Sequence, residues 1–189
     1  KYISEFAGFP VTKNNEINYY SLGDDVYPVM LEELKKAKKF IFIEYFIINN
    51  GTMWQGILDI LKEKANSGLD VRVLYDDMGS FAMLPSNYPK LLGKYGIKCM
   101  QFNKLSPFAG IIMNNRDHRK MMIIDGHTVF SGGINISDEY ININSKLGVW
   151  KDNGIRIKGE AVWNFTVMFL EMWNSFKKED NDYNKYKYN

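Results

Sequence analysis

Apolar residues fall along this chain in two alternating rhythms. FIFIEYFII (Phe40–Ile48) is an almost unbroken apolar run, which predicts a strand covered on both faces. Ahead of it, DDVYPVMLEELKKAKK spaces Val26, Met30, Leu31 and Leu34 along one helical face, with Asp24 or Asp25 as cap and Pro28 in the tolerated first turn. NNG ends the run, and Thr52 opens a second helix carrying Trp54, Ile57, Leu58, Leu61 and Ala65 and closed by Gly68. DVRVLYDD (Asp70–Asp77) is the next strand. A helix over Tyr88–Tyr95 stopped by Gly96, and a strand at IKCMQF, follow. MMIID and TVFSGG read as a hairpin around Asp125-Gly126-His127. INYY near the start and GIRIK near the end add short strands, and EAVWNFTVMFLEMWNSF reads as a last apolar helix whose Trp163, Phe165, Phe169, Met172, Trp173 and Phe176 are expected to be core. Strands alternating with helices predict an α/β fold: a mixed central sheet flanked by helices on both faces, as one domain.

The 189 residues suffice for one sizeable core and are short for two. We place the domain at residues 1–176 and read 177–189, KKEDNDYNKYKYN, as a polar linker or disordered tail. The chain opens on Lys1 and closes on that polar run, so we expect one domain of a longer polypeptide. No stretch approaches the ~20 apolar residues of a membrane span, and the piece itself is expected to be soluble. A net charge of +2 gives no support for nucleic acid as a partner. One cysteine, Cys99, excludes an internal disulfide framework, and with only two histidines a structural zinc site is not expected.

One stretch breaks the apolar logic. In DHRKMMIIDGHTVFSGGIN (Asp117–Asn135), three ionisable residues abut the strand Met121–Ile124. Alternation in a strand turns His118 and Lys120 to one face and Arg119 to the other. An imidazole beside an ammonium suits a phosphate-like group: the lysine neutralises oxygen charge while the histidine attacks or transfers a proton. The same parity puts Asp125 on the face away from His118. Ser131, Gly132 and Gly133 let backbone N–H groups approach a ligand, and Asn135 can donate to a phosphate oxygen.

His118-x-Lys120-x4-Asp125-x6-Gly132-Gly133-x-Asn135 resembles the HKD signature of the phospholipase D superfamily. IFIEYFII, VRVLYDDMGS, NNRDHRKMMIIDGHTVFSGGINISDEY and WKDNGIRIKG extend the resemblance to bacterial cardiolipin synthases over most of Phe40–Trp173. The resemblance implies a phospholipase D-like α-β-α sandwich and a phosphohistidine mechanism without metal or cofactor. In it His118 is nucleophile or acid/base partner, Lys120, Ser131, Gly133 and Asn135 bind phosphate, and Asp152 matches a carboxylate that orients an active-site histidine. Asp125 belongs to the signature and joins the catalytic set, although its simplest reading is a local structural anion. The reaction implied converts two phosphatidylglycerols to cardiolipin and glycerol at a bacterial cell membrane.

Such enzymes carry two HKD motifs and this chain carries one, since His127 is followed by Thr128 and Val129 and is given no role. The partner implied is a C-terminal HKD half of the same chain. Two other classes remain open: a homodimeric single-motif phosphodiesterase, phospholipase D or nuclease, and a non-catalytic lipid-binding module. Glu44, a carboxylate inside an apolar run, is expected to support the phosphate site. Asp76 and Asp77 end a strand, where they either cap locally or serve the site. Leu105–Met113, apolar without helical period, is either packed loop or a lip that touches lipid.

Overall fold

In a computed structural model, which describes residues 2–6, 8–104, 115–143 and 148–188, the chain forms a seven-stranded mixed sheet with helices on both faces. The strands are β1 (Asn15–Tyr20), β2 (Phe40–Tyr45), β3 (Asp70–Asp76), β4 (Lys98–Phe102), β5 (Lys120–Ile124), β6 (Thr128–Gly132) and β7 (Gly154–Gly159). The helices are α1 (Tyr2–Phe6), α2 (Gly23–Lys36), α3 (Thr52–Asn66), α4 (Tyr88–Gly93) and α5 (Val162–Phe176). Sheet order is β1-β7-β6-β5-β2-β3-β4. Only β2-β3 and β3-β4 are parallel; every other pair is antiparallel.

The central strand β2 is buried at every residue, as its unbroken apolar run requires. Its Ile41, Ile43 and Tyr45 face α2 and α3, whereas Phe40 and Phe42 face α5. Phe42 stacks on Phe169 at 4.6 Å. Among the described residues, no helix is long and apolar enough to cross a membrane.

Helix starts depart from expectation. The N-cap of α3 is Gly51, and the Asp138 carboxylate accepts the Thr52 and Met53 N–H groups at 2.9 and 2.8 Å. A distant aspartate thus does what a local cap would, and favours the positive end of the helix dipole. Leu22 is the N-cap of α2, without a side-chain cap bond, and Asp24 instead accepts from Asn142.

The reading of residues 177–189 as linker or tail needs correction. Asp180 and Tyr186 are buried, and both bond Arg72, whose guanidinium lies beneath α5. The polar run conceals anchors because a buried ionic cluster has no apolar period. Leu105–Met113 lies outside the described residues.

Asp125 also stands apart from the catalytic set. Its carboxylate accepts the backbone N–H groups of Lys38, Lys39 and Phe40 at 2.8, 2.8 and 2.9 Å, closing the entrance to β2. It occupies the far end of β5 from Lys120, roughly 17 Å along the strand. With φ of 54° and 67°, Asp125 and Gly126 make the expected tight hairpin turn. Asp125→Ala should therefore lower unfolding free energy by about 1.5–3 kcal/mol, the range for a hydrogen-bonded charge. Urea titration checks this, and activity per folded molecule should stay at the parent's level.

Candidate active site

The open end of the sheet gathers the chain leaving β2, β3 and β6 and the chain entering β5 and β7. The strand β5 starts at Lys120, so His118 stands just outside the ladder, exposed to solvent. The expected shared face is kept nonetheless. The His118 ring lies 4.7 Å from the Phe46 ring, and Lys120 Nζ lies 5.4 Å from that same ring. Lys120 Nζ also donates to the His118 carbonyl at 2.7 Å, tying the two motif residues together. Burial lowers the Lys120 pKa, while Asp117 and Asp152 act to raise it. An ammonium so placed is partly desolvated, which strengthens its pull on an anion.

Asn135, buried, accepts the Ile47 N–H at 3.1 Å and donates to the Tyr140 hydroxyl at 2.8 Å. It joins the loop after β2 to the loop after β6. Asp152 packs directly on Gly133, where a Cβ would displace its carboxylate. Asp152 accepts the Asn153 N–H at 2.7 Å and lies within electrostatic reach of Lys120 and Tyr140. Burial raises the Tyr140 pKa, countered by the Asn135 hydrogen bond and reinforced by Glu139 and Asp152.

Three expected site residues are differently employed. Ser131 pairs with Met121 on the α5 face, and its hydroxyl donates to the Lys120 carbonyl at 2.8 Å. The Gly133 N–H is spent on the Asn153 carbonyl at 3.0 Å. Glu44 pairs in register with Met121, which turns it to the α5 face, away from Lys120. There Arg119 Nη2 approaches Glu44 Oε1 at 2.6 Å, and Arg119 Nε donates to Asp117 at 3.0 Å. Burial, then Asp117, pushes the Glu44 pKa well up, and Arg119 draws it back.

Asp76 settles as a structural anchor. Its carboxylate accepts the N–H groups of Met78, Gly79 and Asp117, and pairs with Arg116 at 3.1 Å. Asp77 accepts from Gln101. Among the described residues no group of three or more His, Cys, Asp or Glu is placed to hold a metal. The sequence reading missed Phe46, Tyr140 and Asp117 as site components. Asp117 adjoins His118, and both Tyr140 and Phe46 lie in resembling segments, but the apolar run around Phe46 reads as core.

Fold and site together define a phospholipase D-like domain. NucT from Helicobacter pylori superposes with a TM-score of 0.65 at 17% identity, covering 86% of this chain and 98% of that one. A phospholipase D family member, Nuc from Salmonella typhimurium, gives 0.62 at 19% identity, covering 85% and 94%. The family described as "Cardiolipin synthase, PLD-like domain" matches residues 30–173, and the chain belongs to it. An uncharacterized protein of Streptococcus mutans is 45% identical over 95% of this chain and 39% of its own length. A cardiolipin synthase of Oceanobacillus iheyensis is 37% identical over 92% of this chain and 36% of its own length. The chain thus spans little more than a third of the curated relatives it matches.

Proposed function

We propose that this chain is the His118-bearing half of a phosphatidyltransferase that turns two phosphatidylglycerols into cardiolipin and glycerol. The observation that carries this reading is the exposed His118 imidazole fastened beside the Lys120 ammonium against Phe46. The match to cardiolipin synthases directs the choice of substrate.

In this reading a His118 ring nitrogen attacks the phosphorus of one phosphatidylglycerol. The N–P bond forms as the bond from phosphorus to the glycerol headgroup oxygen breaks, and the leaving alkoxide takes a proton from the second motif's histidine. A hydroxyl of a second phosphatidylglycerol, deprotonated by that same histidine, then attacks phosphorus. The N–P bond breaks and His118 is regenerated. Lys120 balances charge on the non-bridging oxygens, where stabilisation is greatest in the transition state. Asn135 ties Ile47 to Tyr140 and keeps the floor of the site in place. Asp152 adds its negative field beside Lys120. The membrane supplies the substrate, and a C-terminal HKD half of the same polypeptide completes the site.

A second reading has one observation in its favour. This chain covers 98% and 94% of the NucT and Nuc chains, so a single unit of this size is a complete chain elsewhere in the fold class. A homodimer pairing His118 with its own copy would then be a phosphodiesterase. Incubating the full-length protein with phosphatidylglycerol vesicles, and separately with single-stranded DNA, tests the choice. Cardiolipin and glycerol should form, with DNA left intact. Transfer should persist in EDTA, because the Asp76 carboxylate is already taken up by Arg116 and three backbone N–H groups. DNA cleavage without lipid turnover would replace the first reading with the second.

A further inference from the structure

Resting on the reading of His118 as nucleophile, we propose that Glu44 and Arg119 are positioning residues that hold the imidazole from the opposite face of the sheet. His118 precedes the first ladder residue of β5, so strand pairing does not fix it. Its neighbours on either side are fixed instead. The Asp117 N–H donates to Asp76 at 3.0 Å, and Asp117 accepts the Arg119 N–H and Nε. Arg119 reaches on to Glu44, which is 0% exposed and shares its face with Phe40 and Phe42.

The arrangement explains a carboxylate in the middle of FIFIEYFII. An apolar side chain would pack that face better, since a buried charge is costly unless paired. Within this rear face the Glu44 carboxyl lies 2.6 Å from Arg119 Nη2, an ion-pair contact whose angles do not make a hydrogen bond, and so gives the guanidinium a fixed polar neighbour. With 117 and 119 bound to the rear, alternation turns 118 and 120 forward, and the Lys120 bond to the His118 carbonyl closes the device from the front. Among the charged groups of this network, Arg116 pairs with Asp76, and Arg119 is shared between Asp117 and Glu44. The imidazole therefore presents itself at one angle to phosphorus without being bonded itself to a carboxylate at the rear.

The test uses Glu44→Ala, Arg119→Ala, their double variant and Arg119→Lys. In the full-length protein acting on phosphatidylglycerol, each alanine variant should lose about 10- to 100-fold in kcat, the cost of a small misplacement. KM should stay within about twofold. The double variant should lose no more than the worse single one, because both break one link, and Arg119→Lys should recover part of the loss. Independently of substrate, proton NMR of this chain, which holds only two histidines, reads the Phe46 ring current on His118. In Arg119→Ala the His118 ring signal should move toward that of a free imidazole while His127 stays put. Arg119 is one-third exposed, so its replacement leaves the core filled even where Glu44→Ala fails to fold. An unmoved His118 signal in folded Arg119→Ala overturns the proposal, as do additive losses or an unchanged kcat. Should the parent protein not act on phosphatidylglycerol, the functional reading fails and the NMR signal alone decides the positioning role.

Discussion

His118→Ala in the full-length protein is expected to abolish phosphatidyl transfer, whereas Lys120→Ala should reduce it by on the order of 10²–10³. The asymmetry follows from what each group does. A methyl group cannot form the bond to phosphorus, so no covalent route survives. Loss of an ammonium leaves the reacting bonds available but removes charge stabilisation from a partly desolvated position. In-line displacement also needs a proton donor opposite the nucleophile, and His118 cannot occupy both places. This chain alone should therefore be inactive, and mixing it with the C-terminal half should restore transfer that His118→Ala removes. Scintillation counting of labelled cardiolipin checks both. Turnover by His118→Ala near the parent's rate would refute the nucleophile assignment. Transfer by this chain alone, rising with the square of its concentration, would establish the homodimer instead.

Arg72→Ala is expected to lower unfolding free energy by about 3–5 kcal/mol, the usual cost of removing one partner from a buried ion pair. Arg72 is 2% exposed and bonds Asp70, Asp180 and Tyr186, with its guanidinium 5.0 Å from the Phe42 ring and 5.3 Å from the Trp173 ring. Truncation leaves the Asp180 carboxylate with only Lys185 and the Tyr186 hydroxyl, and loosens the hold on the closing segment of the chain. Against the 5–15 kcal/mol typical of a domain, such a loss is visible as a lower urea midpoint. Acid should erase the difference. Arg72 hydrogen bonds hold the Asp180 and Asp70 carboxyls below their ordinary range, outweighing the opposite push of burial. Their contribution is complete above about pH 4, where unfolded aspartates are ionised. It declines below that and disappears once the folded carboxyls take protons as well. A parent and variant that unfold together at pH 7 would show that the cluster contributes nothing.

The legible part of this protein is whatever depends on near neighbours in sequence. Apolar spacing marks β2, β3, α2, α3 and α5, because burial on one face or two imposes a period of 3.6, of 2, or none. The Asp125-Gly126 turn is legible for the same reason, since left-handed backbone selects those residue types locally. So is the HKD spacing, where a turn and two strands bring His118, Lys120 and Asn135 to one end of a hairpin. Roles set by a partner dozens of residues away are not legible. Asp125 read as a structural anion of the signature, but its partners Lys38–Phe40 lie more than 80 residues upstream, and Asp138 caps α3 from 86 residues downstream. Nothing local distinguishes Asp180 and Tyr186 from a solvated tail; Arg72 does, across 108 and 114 residues. Glu44 was recognisable as anomalous, but only the register of β2 against β5 turned it to the far face and gave it Arg119. Periodicity records which face a residue must bury, whereas hydrogen bonds and ion pairs have direction and reach a few ångströms. Their partners are therefore chosen by the packed sheet, after the sequence has already determined its strands.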